Sequence, residues 1–285
     1  MIREGEGGHA SIDLPPAARG EVAEAYRGRI AEFEKRPFWT VGEADYRPER
    51  GLRWPQRRAI AFAQAYLAAR GVAGNGADKE AALIKMPTGT GKSGVIAALA
   101  CASPGVGKTL ILTPRTSLVR QMGEDLTTRF WSKLGARYTQ TGLEEGLDPD
   151  DLAELPPEPA DLASRPVRRL VAEQYAHIMS EAGRDRQIWV GTFNALHLIL
   201  GIKPPAHREF YRREERAPGA TFSEGKDGEP GLDLEAFRDL LKSVDLVIVD
   251  EGHHEPAFSW AQAVRELDKP TIIFTATPSR SGPRP

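Results

Sequence analysis

The stretch Met86-Pro87-Thr88-Gly89-Thr90-Gly91-Lys92-Ser93 constrains this chain more than any other. An apolar run, Ala81-Ala82-Leu83-Ile84, stands before it, and a second, Gly94 to Ala100, follows it. The first run reads as a short buried strand and the second as a helix. A strand, a glycine-rich turn and a helix opening at Gly-Lys-Ser form the context that a phosphate-binding loop requires. Glycines let successive backbone N–H groups curl inward, and the helix N-terminus adds positive potential. Thr88, Gly89, Thr90, Gly91, Lys92 and Ser93 are therefore the candidate phosphate cradle. Lys92 would reach the β- and γ-phosphates and the Ser93 hydroxyl would ligate magnesium. The generic pattern opens on glycine, and here Met86 holds that place. The plain alternative is a glycine-rich turn with a chance Gly-Lys-Ser, which would need no partner motif downstream.

A chain of 285 residues suffices for one large domain or two small ones. Its net charge of −2 means that any basic surface for nucleic acid is local. The single cysteine, Cys101, excludes an internal disulfide framework and a cysteine-based zinc site. It lies in the apolar helix after the loop and reads as a buried structural thiol. The N-terminal residues lack the apolar core of a signal peptide, and no run approaches the roughly 20 apolar residues that span a bilayer. A soluble cytoplasmic protein without a membrane partner is expected.

Residues 1–48 read as an N-terminal extension, with a polar leader and then a helix over 21–35 whose apolar positions are Val22, Tyr26, Ile30 and Phe33. Arg53-Trp54-Pro55-Gln56 opens an alanine-rich helix that runs to about Arg70. A glutamine amide carries a donor and an acceptor in one plane and suits the edge of adenine. On the residues alone, an exposed glutamine at a helix start is the simpler reading of Gln56. Lys108 to Thr113 is a strand of the continuous apolar type found inside parallel sheets. Pro114, Arg115, Thr116, Ser117 and Arg120 then surround a helix N-terminus with donors that suit nucleic-acid phosphates, or else form an ordinary polar cap.

Residues 141–168 are acidic and proline-rich and read as a surface excursion, with a helix from about Val167 to Ala182 returning the chain. Gln187 to Phe193 is a strand ending in a turn, and a short helix follows to Leu200. Residues 203–231 form a second polar insert, in which His207 to Arg213 mixes bases with aromatics; a charged surface loop is the simpler reading there. After a helix from Leu234 to Leu241, the strand Val244 to Val249 delivers Asp250-Glu251-Gly252-His253-His254. A helix over about Phe258 to Leu267 leads to a last strand, Thr271 to Thr275, ending in Ala276-Thr277-Pro278.

Strands alternate with helices, and the polar motifs sit just past strand ends. That pattern specifies an α/β fold, a parallel sheet with ligands at its C-terminal edge. Asp250 is the candidate magnesium ligand and Glu251 the candidate base that orients and deprotonates water. His253 is placed to sense the γ-phosphate. Zinc on the adjacent His253 and His254 is the weaker alternative, since a strand-end carboxylate pair fits the metal of the phosphate loop itself.

Pro87 to Ser93, Asp250-Glu251-Gly252-His253 and Thr275-Ala276-Thr277 resemble motifs I, II and III of superfamily-two helicases of the DExH type. Thr113 to Thr116 resembles motif Ia, and Val190 to Phe193 a further motif that contacts nucleic acid. Arg53-Trp54-Pro55-Gln56 resembles the adenine-reading glutamine motif, which lifts Gln56 above the simpler reading. Val249-Asp250-Glu251-Gly252-His253-His254 with Phe274 to Arg280 is similar to the translocase subunits of type III restriction enzymes and related DNA-defence and remodelling helicases.

The resemblance covers roughly residues 50–280 and implies a three-layer RecA-like P-loop NTPase domain with a mainly parallel sheet, over 49–280. It implies ATP and magnesium as cofactors, and DNA, favoured over RNA, as a partner held through its phosphate backbone. Pro114, Arg115, Thr116, Thr192 and Phe193 would make those contacts, and Thr275 and Thr277 would couple them to ATP. Superfamily-two does not keep the first glycine, so Met86 is no objection. The family's second RecA-like domain, which brings the arginine finger, has no counterpart in the sequence, so slow hydrolysis by the isolated chain is expected. Two functions follow as alternatives: the first motor domain of a helicase or translocase, or a nucleotide-gated module that binds nucleic acid or protein with little turnover.

Overall fold

Side chains along the central strands are apolar on both faces, because helices cover the sheet on both sides. A computed structural model describes residues 2–4, 10–12, 16–35, 39, 52–73, 80–130, 167–170, 186–200, 234–252 and 263–276. An antiparallel ladder joins β1 (Ile2–Glu4) to β2 (Ala10–Ile12). The main sheet comprises β3 (Ala82–Lys85), β4 (Lys108–Thr113), β5 (Val167–Arg169), β6 (Gln187–Thr192), β7 (Leu246–Val249) and β8 (Thr271–Thr275). Its order is β3-β8-β7-β4-β6-β5, and every neighbouring pair is parallel.

Alternation along the strands divides the core in two. Ile111, Ile188, Val190, Leu246, Ile248, Ile272 and Phe274 point to one face. There they meet α2 (Trp54–Ala73), α3 (Lys92–Ala102) and α4 (Thr116–Glu124). Leu110, Leu112, Trp189, Val247 and Val249 point to the other, against α5 (Phe193–Leu200) and α6 (Leu234–Lys242). The result is a three-layer α/β domain with a parallel sheet, as expected. Each large apolar side chain buried this way contributes about 1.5–3 kcal/mol.

The helix α1 (Pro16–Glu34) lies outside α2. Phe33 is fully buried, its ring 5.7 Å from that of Trp39. Arg29 Nε donates to Gln64 Oε1, and Gln64 Nε2 donates to Ser103 Oγ, both at 2.9 Å. That chain of polar contacts ties α1 through α2 to the end of α3. Burial lowers the pKa of the Arg29 guanidinium from its ordinary value.

Three expectations need correction. Val167 starts a strand, not a helix: Val167 to Arg169 pairs in parallel with Ile188 to Val190 and adds β5 at the sheet edge. Two consecutive arginines masked it, yet an edge strand needs only part of its surface covered. The run before the phosphate loop is also an edge strand and not a buried one, with Leu83 62% exposed. The helix expected from residue 21 begins at Pro16. The body of the 141–168 insert and the 203–231 insert lie outside the described residues.

Candidate functional site

Parallel strands all end at one edge, so their following turns are brought together whatever their distance in sequence. β3 runs into the loop from Met86 to Gly91, and α3 begins at Lys92. The Met86 N–H donates to the Thr275 carbonyl at 2.9 Å, continuing the β3–β8 ladder, and the Met86 side chain is buried in the core. That buried, strand-like position accounts for methionine where the generic pattern has glycine. Gly89 and Gly91 both adopt φ of 83°, the left-handed region open to glycine. Thr90 closes the turn: its hydroxyl donates to the Pro87 carbonyl at 2.6 Å.

β7 delivers Asp250 and Glu251 to the same edge. The Asp250 N–H donates to the Leu112 carbonyl at 2.9 Å, and the Gly252 N–H to the Phe274 carbonyl at 3.1 Å. These bonds hold the turn against β4 and β8. A Cβ on Gly252 would lie 2.5 Å from Ile273 Cγ2, so only glycine lets the chain pass so close to β8. Glu251 itself has φ of 55°, an uncommon conformation for a residue with a side chain.

Lys92 meets both carboxylates. Its Nζ lies 3.0 Å from Asp250 Oδ1 and forms a hydrogen-bonded ion pair with Glu251 Oε1. Asp250 is buried, and among the described residues its Oδ1, although beside the ammonium, has no hydrogen bond of good geometry. Burial raises the pKa of the Asp250 carboxyl, and the Lys92 charge pulls it partly back. A buried carboxylate oxygen with unused acceptor capacity, close to the start of α3 that carries Ser93, is a donor set suited to a hard divalent cation. Among the described residues there is no cluster of three or more His, Cys, Asp or Glu. His253, His254 and Thr277 lie outside the described residues.

Gln56 is buried at the start of α2 and reaches the phosphate loop. Its Nε2 donates to the Gly91 carbonyl at 3.0 Å, and its Oε1 accepts from the Arg53 N–H at 2.9 Å. One donor and one acceptor position of the amide are used in this way, which leaves one of each by chemistry. Thr275 is buried at the end of β8, and its carbonyl is the acceptor for Met86.

The residues expected to contact nucleic acid divide. Arg115 and Thr116 are exposed at the start of α4. Pro114 is buried beneath them. Thr192 is half-buried, and its hydroxyl accepts from the Ala195 N–H at 3.2 Å, capping α5. Phe193 is 1% exposed and packed in the core below the sheet, which removes its side chain from any contact surface. An apolar aromatic opening an amphipathic helix turns inward, and its place in the motif carried no information on that direction.

A cavity of about 390 Å³ adjoins the loop. Gln56, Gly91 and Ser93 line it from one side, and Gln121, Asp125 and Phe130 from another. The last two flank and belong to the continuation of α4, where a π-helix spans Asp125–Arg129. Nothing in the sequence singled these residues out, because a π-turn leaves no compositional signature.

The family model for the type III restriction enzyme res subunit matches residues 50–280. Among solved structures, the chain is similar to the yeast DEAD-box splicing factor Prp28, at 16% identity and TM-score 0.37, covering 79% of this chain and 40% of that one. It is similar to the Pyrococcus furiosus Hef helicase domain, at 20% identity and TM-score 0.36, covering 72% and 31%. A DEAD box protein from the hyperthermophile Methanococcus jannaschii gives 15% identity and TM-score 0.39, covering 95% and 50%. The chain thus spans half or less of the length of each of these solved chains. No curated protein matches it. The family match, which takes in the phosphate loop, the strand-end carboxylates and β8 together, places this chain in the family of type III restriction enzyme res subunits.

Proposed function

We propose that residues 49–280 form the first motor domain of a nucleic-acid-dependent ATPase, a helicase or double-stranded DNA translocase, with DNA favoured over RNA and a restriction or defence system as its setting. Residues 1–48 are an extension on that domain. The observation that carries the reading is the meeting of Lys92 with Asp250 and Glu251 at one sheet edge, Glu251 lying 159 residues further along the chain.

In this reading Thr88 to Gly91 wrap the phosphates with backbone N–H groups, and Lys92 binds the β- and γ-phosphates. Ser93 and Asp250 are the residues that would hold magnesium, which when bound neutralises charge on the phosphates. Glu251 accepts the proton of the attacking water. Gln56 offers its remaining donor and acceptor to the adenine edge. His253 reads the γ-phosphate, and Thr275 with Thr277 couples its presence to the nucleic-acid side. Arg115 and Thr116 hold phosphates of the polymer. A second RecA-like domain, in cis or in trans, closes on the nucleotide and supplies the arginine finger.

ATP turnover measured with and without DNA or RNA tests this. Stimulation by nucleic acid, lost in Lys92→Ala, is the expected result. Turnover indifferent to both polymers removes the motor reading.

One observation favours a second reading. Lys92 already has carboxylate partners, so nucleotide binding exchanges its ion pairs and changes the local charge pattern without any hydrolysis. A nucleotide-gated binding module would use that exchange alone. Partner affinity that changes with bound nucleotide while turnover stays negligible in the presence of the second domain would select it.

A further inference from the structure

The continuation of α4 places an aromatic ring where the phosphate-loop reading has no role for one. Phe130 follows the π-helix Asp125–Arg129. A π-turn takes one residue more than an α-turn, so side chains beyond it are rotated by roughly 100° from an unbroken α-helix. The rotation brings the Phe130 ring onto Gly94, in the first turn of α3. A Cβ at Gly94 would lie 2.5 Å from Phe130 Cε2 and 3.0 Å from Gln56 Nε2. The ring and the glutamine amide therefore converge on one glycine, and any larger residue there would push them apart. Phe130 is only half-buried: part of it packs on the core, and it also lines the cavity beside the loop. That cavity, about 390 Å³, falls in the range of small-molecule sites.

We infer that Phe130 is a base-stacking wall of the nucleotide site: a nucleobase seated in the cavity lies against its ring while Gln56 meets the base edge. This rests on the reading of Gly89–Ser93 as a phosphate cradle and adds the part that tells a nucleotide from a bare polyphosphate. An aromatic face attracts any base, so it supplies affinity, and the amide supplies the choice among bases. Asp125 and Gln121, on the same side of the cavity, set its polar rim.

Calorimetry decides it, with ATP and inorganic tripolyphosphate as ligands, each with magnesium, on the full chain and on Phe130→Leu and Phe130→Tyr. Leucine keeps an apolar contact with Gly94 and lacks a ring. The expected result is ATP binding weakened roughly 5- to 100-fold in Phe130→Leu, the range of base–aromatic stacking. Tripolyphosphate binding stays within about two-fold, and Phe130→Tyr binds ATP like the wild type. ATP affinity unchanged in Phe130→Leu overturns the inference. So does equal weakening of ATP and tripolyphosphate, which would make Phe130 a prop for the loop. A wild type that binds tripolyphosphate as tightly as ATP sinks this inference and spares the phosphate cradle. A wild type that binds neither sinks the cradle, and this inference with it.

Discussion

Lys92 holds two carboxylates that would otherwise repel each other across adjacent residues. Its removal takes the ammonium away from a buried Asp250 that stands beside Glu251. Lys92→Ala should therefore lose both nucleotide binding and stability, by about 2 kcal/mol, between the limits for exposed and buried pairs; chemical denaturation without nucleotide measures the second effect. Glu251→Gln behaves differently. It keeps the side chain's size and frees Lys92 from one of its two carboxylate partners, so ATP should bind at least as tightly while turnover falls roughly 10²–10⁴-fold. Single-turnover hydrolysis and equilibrium binding separate the two, and unchanged turnover would remove Glu251 as the base. Gly252 is constrained by space alone. Gly252→Ala drives a methyl into Ile273 between β7 and β8 and should cost about 1–3 kcal/mol in a denaturation curve.

At the level of elements, what the sequence reveals depends on whether periodicity or packing decides the outcome. β4, β6, β7 and β8 were legible because strands covered on both faces are continuous apolar runs, as in Leu246 to Val249. The loop was legible because phosphate binding demands particular residues at fixed spacing. β5 was not, since Arg168 and Arg169 carry no apolar signal and the strand exists through its ladder with β6. The π-helix before Phe130 was not, since it is set by its own packing on α3 and not by composition. Phe193 stands in a recognisable motif, but only packing shows that it turns into the core. The polar bridge Arg29–Gln64–Ser103 was likewise hidden, because its members are far apart in sequence. Gln64→Leu would leave the Arg29 and Ser103 groups without their shared partner. A loss of about 1–3 kcal/mol is expected, with nucleotide affinity unchanged, and a thermal melt alongside ATP titration checks both.

For the whole molecule, a net charge of −2 confines attraction for a polyanion to local surface such as the exposed start of α4. Binding of DNA should weaken steeply with salt, and Arg115→Ala should lower the log–log slope by about one while leaving sequence preference unchanged. The strand that feeds the phosphate loop has a different dependence. Among the described residues β3 pairs only with β8, Ala82 opposite Ile272, so its place in the sheet is granted by the last of the described strands. Tyr66 reinforces the join, its hydroxyl accepting from the Thr271 N–H and donating to the Glu80 carbonyl, both at 3.0 Å. A nascent polypeptide emerging from the ribosome would therefore carry every residue of the cradle long before it could grip a triphosphate. Stalled chains ending ahead of Thr271 should fail to retain ATP, those released beyond Ala276 should capture it, and nucleotide capture becomes a timer for synthesis through β8.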